Sequence, residues 1–164
     1  MKKTVFSLIA ICFVFNVLAQ TDTSQTYYKS PTIPAFNLAK IPDSSVFVNA
    51  NLKKDIPTVF IFFAPDCDHC QNATKEMVSK MEQLKNVQIV MVSWMDVSFI
   101  KQFYVDYKLV NYQNITLAKD PAFNLLKYYG VHSIPDVFVY DKKGKYLDHF
   151  KSKIPVEDIA ALLK

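Results

Sequence analysis

The run Thr58-Val59-Phe60-Ile61-Phe62-Phe63 constrains this chain more than any other segment. After Thr58 it contains no polar residue, and its valine, isoleucine and phenylalanine side chains favour extended backbone. A strand with one wet face alternates apolar and polar residues. An unbroken apolar run asks for cover on both faces. Such a strand belongs near the middle of a sheet, with other elements packed above and below it.

The rest of the chain supplies that cover. After Ala64-Pro65-Asp66, the residues Ala73, Met77, Met81 and Leu84 recur every three or four positions beside Val78, which predicts a helix. Val87–Trp94 reads as a second buried strand. Val97, Ile100, Phe103, Tyr104 and Tyr107 mark a second helix, and Ile115–Ala118 a short strand. Asp120-Pro121 reads as an N-cap with proline at the first helical position. That helix carries Phe123, Leu125 and Leu126, and Gly130 closes it. Val137–Tyr140 and Tyr146–Phe150 flank the turn Asp141-Lys142-Lys143-Gly144. Pro155 opens a last helix, with Glu157 and Asp158 in the first turn, where acids are favoured. Pro31, Pro34 and Pro42 punctuate extended segments around Phe36 and Val46–Val48. The order β-α-β-α-β-α-β-β-α predicts one α/β domain: a central mixed β-sheet with helices on both faces and an N-terminal extension.

The start of the chain reads differently. Lys2 and Lys3 precede an apolar run from Val5 to Ala19, interrupted by Ser7 and Asn16. The run is shorter than the roughly 20 residues of a spanning helix. It ends in Val17-Leu18-Ala19, and the chain turns polar at Gln20. Residues 1–19 are read as a secretory signal peptide cleaved at Ala19/Gln20, residues 20–30 as a flexible leader, and residues 31–164 as the domain. Cleavage removes Cys12, leaving Cys67 and Cys70 in a chain bound for a periplasmic or secreted, oxidising location. All 19 basic residues are lysine, and the net charge is +4. Without arginine the bidentate fork that reads guanine and clamps phosphate is missing, so nucleic acid is not an expected partner.

Cys67-Asp68-His69-Cys70 sits where the first buried strand passes into a helix. Residues i and i+3 share a helix face at roughly 5–6 Å, within the Cα separation a disulfide requires. The helix N-terminus offers free N–H groups and partial positive charge, which favour a thiolate. Cys67 at the tip is therefore the expected nucleophile, and Cys70, one turn inward, the resolving thiol. A protonated His69 would stabilise the thiolate further, whereas Asp66 and Asp68 oppose it. Both directions of electron flow stand at this point. So do two blander readings. One is an inert structural disulfide, although so short a loop constrains the unfolded chain little. The other is a metal half-site of Cys67, His69 and Cys70, completed by His132. His149 has no expected role.

The segment Phe62-Phe63-Ala64-Pro65-Asp66-Cys67-Asp68-His69-Cys70 resembles the active-site segment of the thioredoxin superfamily. Gly130-Val131-His132-Ser133-Ile134-Pro135 resembles its cis-proline loop. With the signal peptide and the extension before Thr58, the resemblance is greatest to the secreted TlpA-like branch. It covers residues 31–164 and implies a thioredoxin-like fold. It also implies a redox-active Cys67–Cys70 disulfide, a cis peptide before Pro135, and a backbone at Ile134 that pairs with bound substrate. His69 matches the histidine of oxidising Cys-x-His-Cys members. Three departures stand out, the first being Asp68, where many members have proline or glycine. Ile61 occupies the place of a buried aspartate that helps deprotonate the resolving thiol, and Asp66 that of a tryptophan. A peroxiredoxin-type peroxidase shares the fold but needs an arginine to polarise peroxide, and this chain has none.

These readings converge on an enzyme, a thiol–disulfide oxidoreductase that needs no cofactor. It would act as a monomer on cysteine-containing exported client proteins and be recycled by a membrane-bound redox partner. The alternative is a copper-binding chaperone or metal-site maturation protein using the same cysteines and a histidine.

Overall fold

The computed structural model describes residues 31–164; the expected signal peptide and leader lie outside the described residues. Seven strands form one mixed sheet in the order β2-β1-β5-β4-β3-β6-β7. They are β1 (Asn37–Lys40), β2 (Val46–Val48), β3 (Thr58–Phe62), β4 (Gln88–Ser93), β5 (Ile115–Lys119), β6 (Asp136–Tyr140) and β7 (Tyr146–Lys151). The helices are α1 (Asp68–Ser79), α2 (Val97–Asp106), α3 (Asn124–Tyr129) and α4 (Val156–Leu162).

Every residue of β3 is buried. Val59, Ile61 and Phe63 point into one core, Phe60 and Phe62 into another. The first core also takes Cys70 and Met77 from α1, Ile100 and Phe103 from α2, and Val156 and Ile159 from α4. The second takes Leu125 and Tyr129 from α3, with Phe36, Leu38 and Phe47 from the N-terminal extension. Chain direction explains this division. The parallel crossovers β3-α1-β4 and β4-α2-β5 step the same way along the sheet, so right-handed connections put both helices on one face. The return from β5 to β6 steps the other way and places α3 opposite.

The sheet is wider than the sequence indicates. The extended segments around Phe36 and Val46 form an antiparallel hairpin, β1–β2, whose Ala39 and Lys40 pair with Lys119 and Ala118 of β5. Two helices are also shorter than expected. The helix carrying Ala73 and Met77 ends at Ser79, and Met81–Leu84 continue as a 3-10 turn. The helix expected to begin at Pro121 begins at Asn124, because Phe123 adopts a left-handed conformation at φ 56°. Asp120 still caps it from further upstream. Its buried carboxylate accepts the N–H groups of Asn124, Leu125 and Leu126 at 3.2, 2.8 and 3.1 Å. That satisfies three of the four N–H groups a helix start leaves open.

A six-residue helix held by one carboxylate should be sensitive to it. Asp120→Ala is expected to lower the unfolding free energy by about 2 kcal/mol or more, because it strands buried N–H groups. Asp120→Asn keeps one acceptor oxygen and should cost less. Denaturant midpoints at unchanged slope measure both.

Candidate active site

The cysteine pair lies at the C-terminal end of β3. Beyond Phe62 the backbone pairs once more, Phe63 N–H donating to the Val92 carbonyl at 3.0 Å, and then leaves the sheet. Cys67 N–H donates to the Ala64 carbonyl at 3.2 Å, and the Gln71 side-chain amide donates to the Pro65 carbonyl at 2.9 Å. These bonds hold the strand-to-helix turn in place.

Cys67 is the N-cap of α1, with φ −89° and ψ 115°. Its Sγ accepts the Cys70 N–H at 3.4 Å, so sulfur occupies the place where serine or aspartate normally caps. A thiolate there receives a helix N–H and the positive end of the helix dipole. Cys67 is half-buried and packs on the rim of the first core; Cys70 is fully buried, and both are free thiols. Burial pushes the Cys70 thiol up to about 12, against a lowering contribution from the Ala64 backbone; Cys67 and Asp66 add to the rise. Losing a proton inside an apolar core removes a charge's hydration with little in return.

The second part of the site comes from β6. Phe62 pairs with Asp136 in antiparallel register, so the loop before Asp136 stands beside the exit of β3. The Ile134–Pro135 peptide is cis, as is Ile41–Pro42. The Pro135 carbonyl accepts the Ser152 N–H at 2.7 Å, which ties the loop to the end of β7. Ile134, Met95 and Cys67 all pack partly buried against the first core. The structure thus brings Cys67, Cys70, Ile134 and Pro135 to one end of the sheet.

The histidines separate. His69, in the first turn of α1, and His132, before the cis peptide, are both exposed. Among the described residues no group of three or more His, Cys, Asp or Glu stands together as a metal site. His149 is the one whose surroundings sequence reasoning missed. Its ring stacks on Phe138 at 4.1 Å, and its Nε2 lies 2.5 Å from Oδ1 of the buried Asp136. An aspartate inside the apolar stretch that follows Pro135 was the available signal, since a buried carboxylate needs a partner. Asp136 shares a sheet face with Phe138 of the second core, so this pair lies behind the cis-proline loop rather than beside the thiols. Ile61 is a buried apolar member of the first core. A cleft of about 840 Å³, lined by Lys53, Pro57, Gln88 and Glu157, lies toward the N-terminal ends of β3 and β4, away from the cysteines.

Comparison with known proteins places this geometry. A family model described as the AhpC/TSA family matches residues 31–147. No curated protein matches. A putative thioredoxin from Neisseria meningitidis superposes with a TM-score of 0.66 at 22% identity, covering 80% of this chain and 87% of that one. A secreted Mycobacterium tuberculosis disulfide oxidoreductase, homologous to Escherichia coli DsbE, gives 0.64 at 19%, covering 77% and 92%. The peroxidoxin BcpB from Mycobacterium tuberculosis gives 0.66 at 18%, covering 80% and 92%. At these identities the solved structures show the thioredoxin-like fold.

The raised Cys70 thiol carries a stability signature. Between the unfolded thiol value of about 8.5 and about 12, the folded state keeps a proton that the unfolded chain has lost. Stability from this group is therefore present below about pH 8.5 and falls as pH rises, by at most about 1.4 kcal/mol per unit. The difference in unfolding free energy between reduced wild type and Cys70→Ala should shrink from pH 8 to pH 11. The tyrosine contributions cancel in that difference.

Proposed function

The chain belongs to the AhpC/TSA family, and from that premise we propose that it is a thiol–disulfide oxidoreductase working through Cys67 and Cys70. The observation that carries this reading is the asymmetry of the pair. One sulfur caps a helix and reaches the surface, while the other is sealed one turn inside and holds its proton. A nucleophile must meet a client and be ionised; a resolving thiol must wait until a mixed disulfide has formed beside it.

The exchange runs in two steps. Cys67 Sγ, as thiolate, attacks one sulfur of a client disulfide, and the other client sulfur leaves as a thiolate that takes a proton from solvent. Cys70 then loses its proton and attacks Cys67 Sγ. The Cys67–Cys70 bond forms, the bond to the client breaks, and the client leaves with two thiols. Run backwards, the same steps donate a disulfide. The backbone at Ile134, on the rim beside Cys67, suits an extended client segment, and Pro135 holds that rim in place. His69, exposed in the first turn of α1, tunes the thiolate when protonated. No organic cofactor enters, because the electrons move between sulfurs.

The clients in this reading are exported proteins with cysteines, and a membrane-bound redox partner resets the pair. The secreted Mycobacterium tuberculosis neighbour and the apolar run from Val5 to Ala19 support a location outside the cytoplasm. The absence of arginine supports disulfide exchange over peroxide chemistry on the same fold. The reduction potential sets direction: about −120 mV would make the pair a disulfide donor, about −270 mV a reductant.

Exchange against a peptide disulfide should fall to background in Cys67→Ser. Cys70→Ser should instead accumulate a mixed disulfide at Cys67, seen as a mass increase that dithiothreitol reverses. Exchange that survives Cys67→Ser, or turnover of hydrogen peroxide in place of disulfides, would overturn the reading.

A further inference from the structure

One face of α1 carries Cys70, Thr74 and Met77, each fully buried. Thr74 lies one turn beyond Cys70, with the two Cβ atoms about 5–6 Å apart. Helical side chains lean toward the helix N-terminus, so that of Thr74 leans toward the turn holding Cys70. Its Oγ1 is buried and has no hydrogen-bond partner. Threonine inside a helix commonly donates to the carbonyl three or four residues back, and Thr74 makes no such bond.

An unpaired hydroxyl in a core is destabilising, and valine would fill the same volume without one. The other buried polar side chains of the described residues are engaged. Gln88 bonds to Lys53, Ile56 and Thr58. Ser93 accepts from Met95, Asp120 caps α3, and Asp136 meets His149. The only other buried orphan oxygen among the described residues is Tyr128 Oη, on the side of the second core.

Cys70 is the neighbour whose charge is under-supported: the Ala64 backbone hydrogen bond favours its thiolate, but burial outweighs that bond. As a thiol it asks for nothing; as a thiolate it would face Ile61, Phe63 and Met77 of the first core, with no carboxylate at Ile61 to take its proton. We propose that Thr74 is a catalytic residue of the resolving step, its hydroxyl turning to donate a hydrogen bond to Cys70 Sγ whenever that sulfur is negative. This rests on the dithiol exchange proposed above. The atoms balance as before. The Cys70 proton passes to water, Cys70 Sγ attacks Cys67 Sγ, the client thiolate leaves and is protonated by solvent, and Thr74 keeps its own proton throughout. In the donating direction Cys70 is the leaving group, and the same bond stabilises it.

The reduced, full-length domain can be mixed with 5,5′-dithiobis(2-nitrobenzoate). The first nitrothiobenzoate released reports attack by Cys67; the second reports resolution by Cys70. Thr74→Val is expected to leave the first phase unchanged, slow the second about tenfold, the scale of one hydrogen bond to a charged group, and raise the melting temperature. Thr74→Ser, which keeps the hydroxyl, should restore the second phase to within about twofold. A second phase unchanged in Thr74→Val, or slowed equally in Thr74→Ser, would overturn the role of Thr74 while leaving the exchange reading intact. A wild-type protein that releases no second equivalent, or releases it equally well as Cys70→Ser, would overturn the exchange reading itself. If Thr74→Val were unfolded, Thr74→Ala, read against Thr74→Ser, would decide the same question.

Discussion

The burial of β3 on both faces is the constraint from which the rest of the structure follows. Five consecutive apolar or nearly apolar residues cannot meet water on either side, so two cores must exist, one above the sheet and one below. Right-handed crossovers then dictate which helices cover which face. The C-terminal edge of the parallel strands β3, β4 and β5 is left as the place where loops emerge beside helix starts, the usual position of a site in an α/β sheet. Cys67 stands at that edge because it caps the helix that follows β3, a strand buried along its whole length.

The two thiols are held apart in character by a single helical turn. At the tip, Sγ of Cys67 takes the role of a capping oxygen, accepts the Cys70 N–H and faces the positive end of the helix dipole. One turn in, Cys70 is inside the first core and holds its proton far above the ordinary thiol range. The same core that stabilises the fold therefore opposes a negative charge on Cys70. Burial of Thr74 without a partner fits that conflict: a group that weakens the resting state can help a transient ion. Local stability and chemistry pull in opposite directions at this turn.

Local patterns were legible in the residues. The β-rich runs at 58–63, 87–94 and 137–140 became β3, β4 and β6, and the Cys67–Cys70 spacing landed at a strand–helix junction. Legibility failed where distant residues decide. Asp120 was read as an N-cap by its neighbour Pro121, yet it serves a helix that starts three residues later, past a left-handed Phe123. The hairpin β1–β2 reads only as extended backbone, because its pairing with β5 joins residues some eighty positions apart. Asp136 and His149 meet only once β6 and β7 are in register.

By itself the sequence determined the α/β class, the central strand, and the place of the cysteine pair at a strand–helix junction. These follow from local periodicity, from residue types and from two cysteines three positions apart. Only the tertiary structure decided how unequal the two sulfurs are, that Ile134 and Pro135 stand at the same sheet edge, and that Thr74 lies buried without a partner. The physical reason is that burial and hydrogen-bond satisfaction depend on what the rest of the chain brings within a few ångströms. No window of residues along the chain contains that information.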